Sequence, residues 1–493
     1  MTTVERHLSD RARLHALAVR AMRERGLAPE FPRAALAEAA SATPATSGDG
    51  LRDERNRLWC SIDNDDSRDL DQLSVAEERP GGVVRVLVAI ADVDALAPKG
   101  SAIDVHAAVN TTSVYTPGAV FPMLPERFST DLTSLGQDDD RLAIVIALDL
   151  AADATLVGSE VYRAVVRNRA KLAYNSVAAW LTGEGPLPAP AAAVPGLDAQ
   201  LRLQDKTAQL LADRRHEQGA LEFATLQTRP TFVGDTLQDL QADAPNRAKS
   251  LIENLMVAAN GVTARFLEAK RFPSLRRVVK SPKRWDRIVA VAAEAKFTLP
   301  GAPDSRALNA FLAERRAADP DGFPDLSTTV IKLLGSGEYV MARPGEDPPG
   351  HFGLAVKDYT HSTAPNRRYP DLLTQRLLKA ALAGKTSPYD DAVLTGLAEH
   401  CTRQEDNAEK VERQIRKSAA ALVATNKVGQ RFAGLITGAS PKGTFVRVLV
   451  PPIEGKVVTG FQGLDVGDRV TVRLSHVDVD RGFIDFVLER QHG

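Results

Sequence analysis

The spacing of apolar residues changes several times along the chain, and each change marks a different kind of structure. Residues 9–25 set Leu14, Leu17, Ala18, Ala21 and Met22 at i, i+3, i+4, i+7 and i+8, one face of a helix, with Ser9 as N-cap and Gly26 as stop. A second short helix is predicted from Pro32 to about Ala40, and SATPATSGDG (41–50) has the composition of a linker. Val83 to Ala91 (VVRVLVAIA) is a continuous apolar run of strand length, the pattern of a buried strand. Helical spacing returns at 249–267 (KSLIENLMVAANGVTARFL), followed by a helical or irregular stretch from 268 to 335. An amphipathic helix is predicted to begin near Pro370. Residues 397–428 mix Glu399, Glu405, Glu409 and Glu412 with Arg403, Lys410, Arg413, Arg416 and Lys417, the pattern of a solvated helix laced with i,i+4 pairs.

From Gly429 the texture shifts to five short alternating strands, with turns at Pro441-Lys442-Gly443, Gly463 and Asp480-Arg481-Gly482, which predicts a small β-barrel of the OB type. The expected fold is therefore α+β: a small helical N-terminal domain and linker (1–50), a large mixed α/β unit (51–428) and a C-terminal barrel (429–493). The two N-terminal helices fit either a helix-turn-helix contact or a packing appendage, and packing is the simpler expectation.

At 493 residues the chain is long enough for about three domains. With 44% hydrophobic and 25% charged residues it has globular composition, and no apolar run approaches the roughly 20 residues that cross a bilayer. The first residues, MTTVERHLSDRARL, are charged throughout and lack a signal-peptide core. Cys60 and Cys401 give no disulfide framework and no thiolate metal cluster, so a cytoplasmic protein is expected. The net charge of −1 argues mildly against a nucleic-acid binder; any such surface must be a local patch.

Candidate chemistry concentrates at SIDNDDSRDLDQLS (61–74), which puts five aspartates into the nine residues from Asp63 to Asp71. Carboxylates so crowded repel one another unless protons or a cation neutralise them. A hard divalent ion prefers oxygen ligands and takes one or two carboxylates together with substrate phosphate, a site suited to phosphodiester hydrolysis. A solvated acidic loop remains the simplest competitor. An EF-hand calcium loop does not fit, because its Gly and Glu positions hold Arg68 and Ser74, and no helical periodicity follows to make the run a helix N-terminus. A second candidate segment is HFGLAVKDYTHSTAPNRRYPDLLTQRLLKAAL (351–382). Its Thr/Ser/Pro-rich loop leads through Arg367 and Arg368 into a helix, and guanidinium groups at a helix N-terminus favour an anion.

The acidic run resembles the ID-P-x-D-A-R-D-x-DD signature of the ribonuclease II (RNB-domain) family of 3′-to-5′ exoribonucleases. It matches at Asp63, Asp66, Arg68, Asp69 and Asp71 and departs at Gln72, where the family usually has Asp. Further segments are similar in order: TSVYTPGAVFPMLPERFSTDLTSL (112–135), AKLAY (170–174), GALEF (219–223), the helix around IENLMVAAN (252–260) and residues 351–382. Departures there are Asn254 for a frequent Glu, Asn366 for Ile and Gln375 for His.

The resemblance implies an enzyme that degrades single-stranded RNA processively from the 3′ end to nucleoside 5′-monophosphates. It implies Mg²⁺ or Mn²⁺ held by Asp63, Asp69, Asp71 and Gln72, catalysis by Asp63, Asp69, Asp71 and Arg367, and no organic cofactor. RNA contacts would come from Tyr115, Tyr174, Phe223, Glu253, Arg367 and Arg368; without the resemblance Tyr115 reads as an ordinary core residue. Stacking on an aromatic ring contributes roughly 1–3 kcal/mol per base whatever the base. In the barrel, Phe432, Lys442, Phe445 and Arg447 are candidate contacts or plain structural residues. Such enzymes commonly carry two cold-shock domains ahead of the catalytic part; fifty helical residues are not those, so part of the RNA anchor is expected to be absent. A monomer is expected. The alternative is an RNB-like protein that binds RNA and regulates it with weakened or absent nuclease activity, a reading Gln72 keeps open; a DNA exonuclease is a remote third.

Overall fold

The computed structural model describes residues 8–224, 227–243, 245–320, 322–440, 443–448 and 450–489. Helix α1 (Asp10–Glu24) starts where Ser9 accepts a hydrogen bond from the Ala12 N–H, and α2 (Arg33–Ser41) follows Pro32. A mixed seven-stranded sheet comes next, with strands β1 (Arg52–Asp53), β2 (Cys60–Asp63), β3 (Gln72–Arg79) and β4 (Val83–Ala91). Helix α3 (Ala102–Asn110) and the short hairpin of β5 (Val114–Tyr115) and β6 (Val120–Phe121) leave the sheet. The chain rejoins it through β7 (Asp140–Leu150), β8 (Leu156–Arg167) and β9 (Ala170–Ala173). The strand order is β1-β8-β7-β4-β3-β2-β9. The long central pairs are antiparallel, whereas β1 on β8 and β9 on β2 are parallel. The apolar run of β4 is buried from Val86 to Ala91, as a central strand requires.

Helices α4 (Tyr174–Thr182), α5 (Ala189–Ala192) and α6 (Leu197–Glu217) follow, then a hairpin of β10 (Gln227–Val233) and β11 (Thr236–Asp243), and the long α7 (Arg247–Ala269). The stretch expected to be helical or irregular is β12 (Ser274–Val278), α8 (Trp285–Glu294), α9 (Ser305–Ala318), α10 (Phe323–Leu334) and β13 (Glu338–Ala342), which pairs with β12. The three helices enclose their own apolar cluster around Ile288, Phe311, Leu312 and Val330.

Helix α11 (Tyr369–Leu382) begins at the expected place but is not an amphipathic surface helix. Residues Tyr369 to Leu378 are all buried, including Asp371, Gln375 and Arg376. Their polar groups are satisfied internally: Gln375 donates to the Ala91 carbonyl and accepts from the Asp94 N–H, and Arg376 pairs with Asp94 and Asp104.

Helix α12 (Asp391–Ala424) is a second correction. It was expected to be solvated, yet Leu394, Ala398, Cys401, Gln404, Ala408, Val411, Ile415 and Ser418 form a buried seam at three- and four-residue spacing. That seam takes the apolar face of α1 and joins it to the barrel in one hydrophobic cluster, while α2 adds Ala35 and Ala39 to the core around the main sheet. The apolar residues of both N-terminal helices are thereby packed against the rest of the chain. The chain ends in a closed barrel of β14 (Arg431–Ser440), β15 (Gly443–Val448), β16 (Ile453–Thr459), β17 (Arg469–Asp478) and β18 (Phe483–Leu488), in the order β14-β15-β16-β18-β17. One helix-long seam therefore ties the first and last elements to the sheet that carries the acidic run.

Candidate active site

The acidic run is the loop between β2 and β3, and the structure splits its aspartates by burial. Asp65 and Asp66 face solvent, Asp63 and Asp69 are half-buried, and Asp71 is buried with 1% of its surface exposed. The Cys60–Ser74 pair fixes the register of β2 on β3 and turns the loop out at one end of the sheet. Two neighbours hold it there. Ser134 donates to the Arg68 carbonyl and accepts from the Leu70 N–H, and the Leu135 N–H reaches the Leu70 carbonyl. On the sheet side, the Ala91 N–H donates to the carbonyl of Asp71 itself.

Asp71 meets the second segment. Its Oδ1 accepts the Asn366 N–H at 2.9 Å and its Oδ2 accepts Nε of Arg367 at 3.1 Å. Burial pushes the Asp71 carboxyl up to about 7, with Arg367 and the Asn366 N–H pulling the other way. Burial also raises Asp69, and the nearby Asp63 adds to the rise. Among the described residues only Nε of the half-exposed Arg367 is spent on a carboxylate, which leaves its two terminal nitrogens open. The strand-like pairing of Thr111–Ser113 with Arg367–Tyr369 fixes it from behind, and the same pairing delivers Tyr115.

Tyr115 is 42% exposed and its phenol lies in the field of Arg367, Asp69 and Asp71; burial pushes it up to about 12. Tyr174, the first residue of α4 after the strand that pairs with Asp63, is raised by burial and feels Asp63 and Arg367. Six expected site residues thus lie close together: Asp63, Asp69, Asp71, Arg367, Tyr115 and Tyr174. Gln72 opens β3 beside Asp71; it is 7% exposed and its amide has no hydrogen-bond partner among the described residues.

Other expected residues lie elsewhere. Arg368 is clasped by Asp371 through two bonds of 2.8 and 2.9 Å, so it organises the loop rather than facing a ligand. Phe223 packs against the cluster of α8, α9 and α10. Glu253 is exposed on α7. Of the barrel candidates, Arg447 pairs with Asp325 of α10 at 2.5 Å and Phe432 lies edge-on to Phe486, while Phe445 is half-exposed. Lys442 lies outside the described residues.

Three residues that sequence reasoning passed over complete the site. Thr133 and Ser134 brace the two loops, Thr133 through the Asn366 amide at 2.5 Å. Glu412 of α12 accepts the Tyr115 N–H at 2.9 Å. The LTSL wording was visible in the sequence, but nothing in it told which hydroxyl touched what.

The donor set fits a hard divalent cation. Asp63 spends Oδ1 on the Asn64 N–H and Ser67 and leaves Oδ2 open; Asp69 and the Gln72 amide add further oxygens. Among the described residues no three acidic, His or Cys side chains form a ready-made cage. Two carboxylates completed by waters and a phosphate are what Mg²⁺ prefers.

A carboxylate loop on a mixed sheet meets an arginine in the loop that leads into a buried helix, and an OB-type barrel follows; that combination defines the class to which the chain is compared. The RNB domain pattern matches residues 51–384 and that of the RNase II-type exonuclease C-terminal S1 domain matches residues 430–489, so the chain belongs to the RNB-domain (ribonuclease II) family. It is similar to Ribonuclease R of Escherichia coli strain K12, 31% identical over 484 residues, covering 90% of this chain and 58% of that protein. Ribonuclease R of Aquifex aeolicus is 28% identical over 465 residues, covering 89% and 64%. The chain thus spans about three-fifths of the length of these curated relatives. In fold it resembles Mycoplasma genitalium RNase R in complex with ribose methylated single-stranded RNA, with TM-score 0.86, 22% identity and coverage of 98% of this chain and 78% of that one. It also resembles yeast Ssd1, a pseudonuclease, with TM-score 0.66, 16% identity and coverage of 90% and 54%.

Proposed function

We propose that this protein is a metal-dependent 3′-to-5′ exoribonuclease that hydrolyses single-stranded RNA processively to nucleoside 5′-monophosphates. The observation that carries the reading is the 3.1 Å contact between Asp71 and Arg367, which are 296 positions apart in sequence. It joins the acidic loop to the arginine loop, with Tyr115 and Tyr174 beside them. Asp63 and Asp69 would hold Mg²⁺ or Mn²⁺, with the Gln72 amide as a neutral oxygen. Asp71, expected among the metal ligands, has both carboxylate oxygens engaged by Asn366 and Arg367 and instead aims that arginine. The ion would supply charge neutralisation at the phosphoryl oxygens and a more acidic water. Asp71 fixes the plane of the Arg367 guanidinium, whose terminal N–H groups face the scissile phosphate and stabilise charge that grows in the transition state. Tyr115 and Tyr174 offer rings for the last bases of the strand.

The division into residues 1–50, 51–428 and 429–493, a monomeric state and a cytoplasmic location belong to the same reading. Among the described residues no helix is long and apolar enough to cross a membrane.

A second reading, an RNA-binding regulator without nuclease activity, draws on Gln72 and on the fold shared with a pseudonuclease. The three aspartates and Arg367 in one place favour the enzyme. Release of nucleotides from labelled poly(A), abolished by chelator, separates the two: binding without release selects the regulator.

A further inference from the structure

Largely buried arginines in this protein are paired. Arg276, Arg277, Arg368, Arg376 and Arg447 each reach a carboxylate. Arg215, in the last turn of α6, is an exception. Among the described residues it forms no ion pair; its terminal nitrogen donates to the neutral amide oxygen of Asn254, and its Nε is buried without any acceptor. Burial disfavours its charge, and the nearest compensation is the field of Glu253 and the Tyr359 hydroxyl. Tyr359, in the segment that leads to Arg367, feels both Arg215 and Arg368.

A guanidinium taken from water without an anion is costly, because desolvation is repaid only by a partner charge with good hydrogen bonds. The C-terminal end of α6 offers a weak attraction to cations, but it leaves the Nε donor unanswered. Asn254 cannot supply the missing charge: it is 3% exposed and its own amide nitrogen is spent on the Ser250 carbonyl. The charge and the donor are complete only when an anion arrives. The anion at hand, on the exoribonuclease reading, is a backbone phosphodiester of the bound strand other than the one beside Arg367.

We propose that Arg215 is a phosphate-binding residue of the RNA path, left without a carboxylate so that a backbone phosphate of the bound strand becomes its partner. The inference rests on the exoribonuclease reading. Binding of a labelled oligoadenylate is measured in chelator, where no turnover occurs, across a series of salt concentrations, with melting temperature followed in parallel. Arg215→Met is expected to weaken binding about tenfold, the loss of one charge-assisted contact. It flattens the slope of log K against log salt by about 0.7, the value for one phosphate of a single strand, and leaves the melting temperature unchanged or raised. Asn254→Asp, which brings a carboxylate to the guanidinium, is expected to weaken binding while the fold is held or stabilised. Wild-type affinity and slope in both variants would overturn the proposal while leaving the nuclease reading intact. A lowered melting temperature in Arg215→Met with an unchanged slope would likewise assign the residue to structure alone. A wild-type chain that does not hold the strand overturns both.

Discussion

Arg367 and Arg447 are both arginines that sequence reading offered to RNA, and the structure treats them in opposite ways. Arg367 spends one nitrogen on Asp71 and shows nearly half of its side chain to solvent. Arg447, on the outer face of β15, is 13% exposed and locked to Asp325 of the three-helix unit. One guanidinium is aimed by its carboxylate with its fork left open, whereas the other is consumed by it. Recognition chemistry therefore depends less on which residues a segment carries than on how many of their donors the fold leaves unused.

The largest effect is expected where the aimed arginine is disarmed. Arg367→Lys keeps the charge but loses the planar fork, and single-turnover release of nucleotides should fall by about 10²–10³, as when one oriented transition-state donor is removed. Asp71→Asn should abolish release while RNA is retained; loss of binding together with activity would mean that Asp71 does more than aim Arg367.

At the locked arginine the expected loss is of stability instead. Arg447→Met strands the Asp325 carboxyl, which burial already raises. Denaturant unfolding should show a cost of about 1–3 kcal/mol, the penalty of leaving a buried polar group without its partner. A stable variant with weakened RNA affinity would reverse the contrast.

A smaller effect concerns acid. Burial pulls His351 down to about 4 from its ordinary 6.5 and also lowers the partly buried His361. Between those values the unfolded chain binds more protons than the folded one. Stability from the neutral imidazoles is thus complete above about pH 6.5 and is lost as pH falls toward 4. Unfolding free energies at pH 7 and pH 5 should differ less in His351→Gln than in wild type; equal differences would remove His351 from the acid response. The smallest effect belongs to Asp65→Asn and Asp66→Asn. These face solvent, and changes there should stay within about 0.5 kcal/mol and leave nucleotide release as it was.

Much of the chemistry was legible because it lies in contiguous words. Five aspartates after a strand, an arginine pair before a helix and alternating strands at the end each carry their meaning locally. What was not legible depends on partners far away. Nothing near Arg368 says that Asp371 will take both sides of its fork, nor does α12 announce that its small residues form a seam while its glutamates reach Arg277 and Tyr115. Thr133 earns its place only because Asn366 arrives from more than two hundred residues on. Periodicity reports a buried face, and it is silent about which polar atom on that face will find a partner.

The central claim is that the acidic loop and Arg367 act on one phosphorus atom at the 3′ end of a strand. The most direct test is a time course with magnesium on oligoadenylate labelled at its 5′ end, with products resolved by length and identity. The account predicts stepwise shortening from the 3′ end, nucleoside 5′-monophosphates as product, and arrest both by chelator and by Asp71→Asn. Internal cuts, or shortening that persists in chelator or in Asp71→Asn, would contradict it.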